Sequence, residues 1–297
     1  MTGEETSRDH LWIVGAGRAG LALGRLLHRA GVVASLVYTG RRDAPPEHPL
    51  FRGDPAPARW LPWSAAPPPG VTGIVIAVPD EAVGGVAARI AVLPLPAGTP
   101  VLHLSGSLEP DALEPLTNAG HSTGGLHPLR AVADPVEGAE RLRGATFGIQ
   151  GEGAARELAE RIVRAAGGVP LPVPRGSKAL YHAAAVFASN YLVVLLAVAE
   201  RLMERAGVAA ERARPALAEL AAGAVGDVRE RGPAAALTGP VARGDAATLR
   251  LHLARLSADE RVLYSVLGRE ALALARARGL PPEAAARVGE LLGENDA

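Results

Sequence analysis

Short apolar runs alternate with helically spaced apolar positions through the first part of the chain, and after residue 174 only the helical spacing remains. Leu11-Trp12-Ile13-Val14 reads as a buried strand, and Leu21, Leu23, Leu26 and Leu27 then open a helix. Further strands are predicted at Val32–Tyr38, Gly73–Val78, Pro100–Leu104 and Ala145–Ile149, with helices at Ala82–Ile90 and Ala154–Ala166 between them. A helix or turn runs through Leu113 and Leu116. Gly168–Val173 closes the series, and Pro170, Pro172 and Pro174 make it an edge strand or extended linker. The proline-rich stretch Asp43–Gly70, centred on Trp60 and Trp63, is expected as a loop or a weak strand near Trp60. Helices are predicted at Lys178–Ala206, Ala209–Gly223, Asp259–Arg278 and Pro281–Leu292. The expected architecture is an α/β domain over residues 1–173 followed by an all-helical domain over 174–297.

Composition narrows the class. A chain of 297 residues, 48% hydrophobic and 21% charged, with mean hydropathy +0.15, describes a packed protein large enough for two cores. The 31 basic and 31 acidic residues cancel, so no global charge attracts nucleic acid or an anionic membrane. Cysteine is absent, which excludes disulfides and thiolate chemistry, and the histidines show no metal-ligand spacing. MTGEETSRDH is polar and acidic, unlike a secretory signal, and is expected as a loose tail before the first strand. Ala183–Ala199 is the longest apolar stretch; Ser189 and Asn190 interrupt it, so a buried helix is expected rather than a membrane span. A cytoplasmic setting follows from these expectations, with no membrane or nucleic-acid partner. The helical half also carries more apolar face than a small domain can bury, so a homodimer is expected.

The first strand runs directly into Gly15, Gly17 and Gly20 before the helix. Gly15 would permit the turn, Gly17 would let the backbone approach a pyrophosphate, and Gly20 would bring helix and strand together. Arg18 and Ala19 complete the helix start whose free N–H groups suit phosphates, and Val78-Pro79 ends the neighbouring strand at the same edge. Where NAD-binding strands present an acid to the ribose, Val32–Tyr38 is followed by Thr39-Gly40-Arg41-Arg42. A hydroxyl and two guanidiniums suit a phosphate, favouring NADP over NAD, although ordinary surface charges would read the same way. Asp80 and Glu81 are equally suited to capping the next helix.

Lys178 is the one lysine among 31 basic residues. It opens the first helix beyond the boundary, one turn before His182, with Ser189 and Asn190 two turns further on. That polar stripe is either an internal network or the wall of a site. Ser105 and Ser107 follow a strand end, where they would either cap a turn or face the cofactor ring.

The segments Ile13–Gly20, His103–Ser107, Gly125–Leu129, Lys178–Asn190 and Leu237–Leu253 together resemble a bacterial family with a Rossmann-like domain and a C-terminal domain of unknown function. That family is related to ketopantoate reductases, pyrroline-5-carboxylate reductases and prephenate dehydrogenases and to the 6-phosphogluconate dehydrogenase superfamily. The resemblance implies a helical second domain of the 6-phosphogluconate dehydrogenase C-terminal type and a dimer. It places Lys178 at the substrate oxygen, although His182 stands where several relatives carry Asn. His127-Pro128 resembles the His-Pro turn of prephenate dehydrogenases, and the loop Thr238–Asp245 offers Thr238, Arg243 and Asp245 to substrate. The expected function is NADP-dependent reduction of a small keto or imino acid, with ketopantoate the leading substrate. Lys178, His182 and Ser105 would be catalytic; Ser107, His127 and Asn190 would join the substrate-side loop. A non-catalytic nucleotide-binding regulator is the alternative, because fold alone does not separate the two.

Overall fold

The computed structural model describes residues 9–294; the tail expected at the N-terminus lies, but for its last two residues, outside them. Two compact units divide at Leu192/Val193. In the first, β1 (Asp9–Val14), β2 (Val33–Thr39), β3 (Arg59–Trp60), β4 (Gly73–Ile76), β5 (Pro100–His103), β6 (Ser122–Pro128), β7 (Thr146–Gly151) and β8 (Val169–Pro172) form one sheet. Its order is β3-β2-β1-β4-β5-β6-β7-β8, all parallel except the β6–β7 pair. Alternate residues of β1 feed opposite faces. Leu11 and Ile13 pack with α1 (Arg18–Arg29), α4 (Gly138–Leu142) and α5 (Gly153–Ala165), whereas Trp12 and Val14 join α2 (Asp80–Ala91) and α3 (Glu114–Asn118). Burial on both faces explains why these strands read as unbroken apolar runs.

The proline-bearing β8 is an edge strand, and Trp60 does lie in a short strand. β6 was not anticipated. Its Ser-Thr-Gly-Gly-Leu-His-Pro lacks a strand pattern because neighbours crowd its backbone: a Cβ at Gly124 would stand 2.6 Å from the Gln150 carbonyl oxygen.

The change in sequence character at 174 marks the start of helix, while the compact division comes later. The segment α6 (Lys178–Val186) and the π turn Phe187–Tyr191 remain with the sheet, the Lys178 backbone N–H donating to the Glu109 carboxylate at 2.9 Å. The expected burial of Ala183–Ala199 is corrected. No residue of the most apolar 18-residue window of Lys178–Arg205 is buried, and Phe187 and Val193 are 68% and 67% exposed. By length and composition the helix could cross a membrane, its window having mean hydropathy 1.8.

The second unit holds nearly all of α7 (Leu192–Arg205), then α8 (Ala210–Arg231), α9 (Pro233–Ala236), α10 (Gly239–Arg243), α11 (Ala246–Arg255), α12 (Ala258–Ala277) and α13 (Pro282–Leu291). No strand occurs there among the described residues. α8 outruns the predicted Ala209–Gly223, and α9 to α11 were not anticipated. Ser257 and Glu260 form a capping box at the head of α12.

Candidate functional site

The glycine turn has the geometry its sequence implies. Gly15 adopts φ +115°, a conformation disfavoured for residues with a Cβ, and Gly17 forms the N-cap of α1 without any side chain closing the helix end. The first turn of α1 carries no acid, so its amides meet no fixed carboxylate. Gly20 passes close to the strand, where a Cβ would lie 2.6 Å from the Gly15 carbonyl oxygen.

At the end of β2 the residues separate. Arg41 and Arg42 are exposed and have no ion pair among the described residues, as a phosphate site requires. Thr39 corrects the expectation of a hydroxyl offered to the ribose. It is 1% exposed, and its oxygen accepts the indole N–H of Trp12 at 2.9 Å. The strand alternation turns Thr39 inward.

A cleft of about 450 Å³ opens at the carboxyl ends of β1, β4, β5 and β6. It brings the glycine-turn residues Gly17, Arg18 and Ala19 together with Val78, Pro79, Ser105, His127 and His182. A neighbouring hollow of about 560 Å³ shares Arg18, His127 and His182 and adds Ser189 and Asn190 from the π turn. Open parallel sheets bind ligands at this edge, beside the point where strand order reverses. The reversal here is between β1 and β4.

Ser105 and Ser107 are partly engaged. Ser105 Oγ accepts the backbone N–H groups of Ser107 and Leu108 at 3.1 and 3.0 Å, which is a turn cap. Ser107 donates to Asp80 at 2.5 Å, tying this turn to the head of α2. Asn190 Oδ1 accepts from Ser189 at 2.8 Å on the exposed π turn.

Lys178 stands behind the cleft rather than in its lining. Its side chain is fully buried, and Nζ donates to the Ser105 carbonyl at 2.9 Å. Burial lowers its pKa to about 8, against the opposing pull of Glu109 and Asp80. Burial also tends to raise the Glu109 pKa, but hydrogen bonds from Lys178, Gly176 and Gln150 outweigh it and hold the carboxyl below its usual range. Direct contact between Lys178 and a substrate, expected from the sequence, is not the arrangement seen. The ammonium supports the Ser105 turn from beneath.

Around that ammonium lie His103, His127 and Tyr181. Burial and the Lys178 charge lower both His103 and His127 to about 4, so both imidazoles are neutral near pH 7. His127 Nδ1 lies 2.9 Å from the Tyr181 hydroxyl, and its ring meets that of His182 edge-on at 5.9 Å. Tyr181, Arg130, Glu109 and the buried His103 were missed as site residues. A signal existed in Gly125 within β6 and Gly148 within β7, which give up side-chain space to His103 and to Tyr181.

In the second unit, Asp245 caps α11 by accepting from Thr248 N and Oγ1 at 3.0 and 2.7 Å. Thr238 is the N-cap of α10, with no side-chain cap bond, and the exposed Arg243 lies in that helix's last turn.

Comparison with known proteins agrees with this architecture. Residues 145–271 match the family model described as Domain of unknown function (DUF2520), a segment that takes in Lys178–Asn190 and Leu237–Leu253, two of the five stretches that carried the resemblance. No curated protein matches the sequence. Among solved structures, a protein from Thermotoga maritima is similar at 21% identity and TM-score 0.68, covering 90% of this chain and 99% of the other. Pyrroline carboxylate reductase from Plasmodium falciparum, solved with NADP bound, is similar at 13% identity and TM-score 0.63, covering 97% and 99%. A reductive aminase from Aspergillus terreus, in complex with NADPH4, cyclohexanone and allyl amine, gives 18% identity and TM-score 0.57, covering 97% and 93%. The chain therefore shares the fold of these proteins, a Rossmann-like α/β domain followed by an all-helical domain.

Proposed function

We propose that this chain is an NADP-dependent oxidoreductase that reduces a small keto or imino acid. The observation that carries the reading is the single cleft in which the glycine turn meets Ser105, His127 and His182. The residues present fit the cofactor: the uncapped amides of α1 suit its pyrophosphate, and Arg41 and Arg42 suit a ribose phosphate. When bound, the nicotinamide supplies the hydride.

The chain's own residues orient substrate and handle its oxygen or nitrogen. His127 and His182 face the position a reacting carbonyl would take, and the Ser105 turn, supported by Lys178, closes its side. Arg18 and Arg130 line the same cleft, and neither has an ion pair among the described residues. Two unpaired guanidiniums suit a carboxylate, which favours an acid as substrate. Thr238, Arg243 and Asp245 remain proposed substrate-side residues, with Asp245 holding the loop in shape. A cytoplasmic homodimer belongs to the same reading.

The solved relatives named for imine chemistry widen the substrate panel beyond ketopantoate. The test follows NADPH absorbance with ketopantoate, other 2-keto acids and cyclic imino acids. Oxidation with one class and saturation at low concentration is expected. No turnover with any of them, despite tight NADPH binding, would favour the nucleotide-binding regulator.

A further inference from the structure

His127 and Gly148 stand directly opposite each other in the antiparallel β6–β7 ladder. Gly148 has no side chain, and the Tyr181 hydroxyl occupies the space above it; a Cβ there would collide with the phenol oxygen. From that position Tyr181 reaches His127 Nδ1 at 2.9 Å, and the two rings pack edge-on at 5.6 Å between centroids. β6, β7 and α6 thus place one phenol against one particular nitrogen of the imidazole.

The proton inventory then decides direction. A phenol donates one proton, and among the described residues its only hydrogen-bonding acceptor is His127 Nδ1. Burial pushes the Tyr181 pKa up to about 12, so the phenol keeps its proton at working pH; with that proton donated to Nδ1, the neutral imidazole carries its own on the other nitrogen. That nitrogen, Nε2, faces the cleft-lining Gly106: a Cβ on Gly106 would lie 2.8 Å from it and 2.7 Å from His182 Nδ1. The charged and titratable groups acting on the imidazole are Lys178, His182, Asp80 and His103, besides the Tyr181 phenol.

We propose that Tyr181 is a positioning residue that locks His127 in the Nε2–H tautomer, giving the cleft an N–H donor aimed at a substrate acceptor. This rests on the reading of the cleft as a reductase site and deepens it. A carbonyl oxygen or an unprotonated imine nitrogen accepts such a bond, whereas an iminium has no lone pair to offer. Tyr181 acts through His127 and does not touch substrate.

The experiment is nitrogen–proton correlation NMR on the full chain labelled at histidine, with His127 assigned through His127→Gln. At neutral pH the wild type is expected to show the Nε2–H pattern. In Tyr181→Phe, which keeps the ring and loses the proton, the two tautomers should mix. Turnover should fall roughly 10- to 100-fold with NADPH affinity unchanged, the scale typical of losing an outer-shell partner. Gly148→Ala displaces the hydroxyl without removing it and should give the same mixing, while melting curves report folding. An Nδ1–H pattern in the wild type, or an unchanged pattern in a folded Tyr181→Phe, overturns the proposal. A locked Nε2–H tautomer in a protein that reduces no substrate overturns the reductase reading and leaves the tautomer lock standing.

Discussion

Lys178 holds the Ser105 turn from beneath the cleft, through its ammonium and the Ser105 carbonyl. It is the one lysine among 31 cations and stands one helical turn from His182, but neither feature reveals that its side chain points inward. Its field and its bond to the Ser105 carbonyl are what it offers the cleft. Lys178→Met should therefore lose turnover by about 10²–10⁴, as the notional loss of an electrostatic group implies, while NADPH binding persists. The stability effect has a definite sign. Because the folded-state pKa is lowered from 10.5 to about 8, the unfolded chain binds more protons between those values, and wild-type stability gains from this group as pH rises through that window. Any melting advantage of Lys178→Met at pH 7 should shrink between pH 8 and 10. A constant difference across that range would show that Lys178 is not desolvated in the folded protein.

His103 follows the same logic on the acid side. It is fully buried at the end of β5, with both ring nitrogens lacking a partner among the described residues, and its pKa is lowered to about 4. Between pH 4 and 6.5 the unfolded chain binds the extra proton, so this group takes stability away as pH falls through that window. His103→Leu should flatten the acid limb of a melting-temperature profile measured from pH 7 to 4. An unchanged slope would assign acid sensitivity to other groups.

Among the elements, those with strong local periodicity were legible and those shaped by close approach were not. β1, β2, β4 and β5 announced themselves because both faces are buried, and α1 did so through its leucine spacing. β6 was hidden because Gly124 and Gly125 are demanded by backbone and by His103 rather than by strand propensity. Tyr181 was hidden for a related reason: its partner, Gly148, is thirty-three residues earlier and defined by what it lacks. The end of β2 divides in the same way. Alternation sends Thr39 into the sheet, and Arg41 and Arg42 in the turn beyond remain the residues proposed for a ribose phosphate. Replacing both by alanine should remove most of the preference for NADP(H) over NAD(H) measured by calorimetry, without a change in melting temperature. Equal affinities for the two cofactors in the wild type would remove the arginines from recognition.

At the scale of the whole molecule, the second unit has a small core for its length. Val241, Leu249, Leu272, Ala285, Val288 and Leu292 are its buried apolar cluster, while Leu220, Leu251 and Val262 are 71%, 70% and 66% exposed. The most apolar 18-residue window of Lys178–Arg205 likewise has no buried residue. Exposed apolar faces of this extent mark surfaces that another body buries. A second copy is the occupant expected here, since self-complementary interfaces of helical faces form closed dimers and need on the order of 1,200–2,000 Å² to be stable. Light scattering at micromolar concentration should give twice the chain mass, little altered by salt because the contact is apolar. Val194→Glu with Leu220→Glu places charge on two of these faces and should yield monomer, with the sheet unit still binding NADPH. The same helix has the length and hydropathy of a membrane span, so flotation with phospholipid vesicles is the paired measurement. A monomer at micromolar concentration that floats with vesicles would overturn the dimer and assign the uncovered helix to lipid.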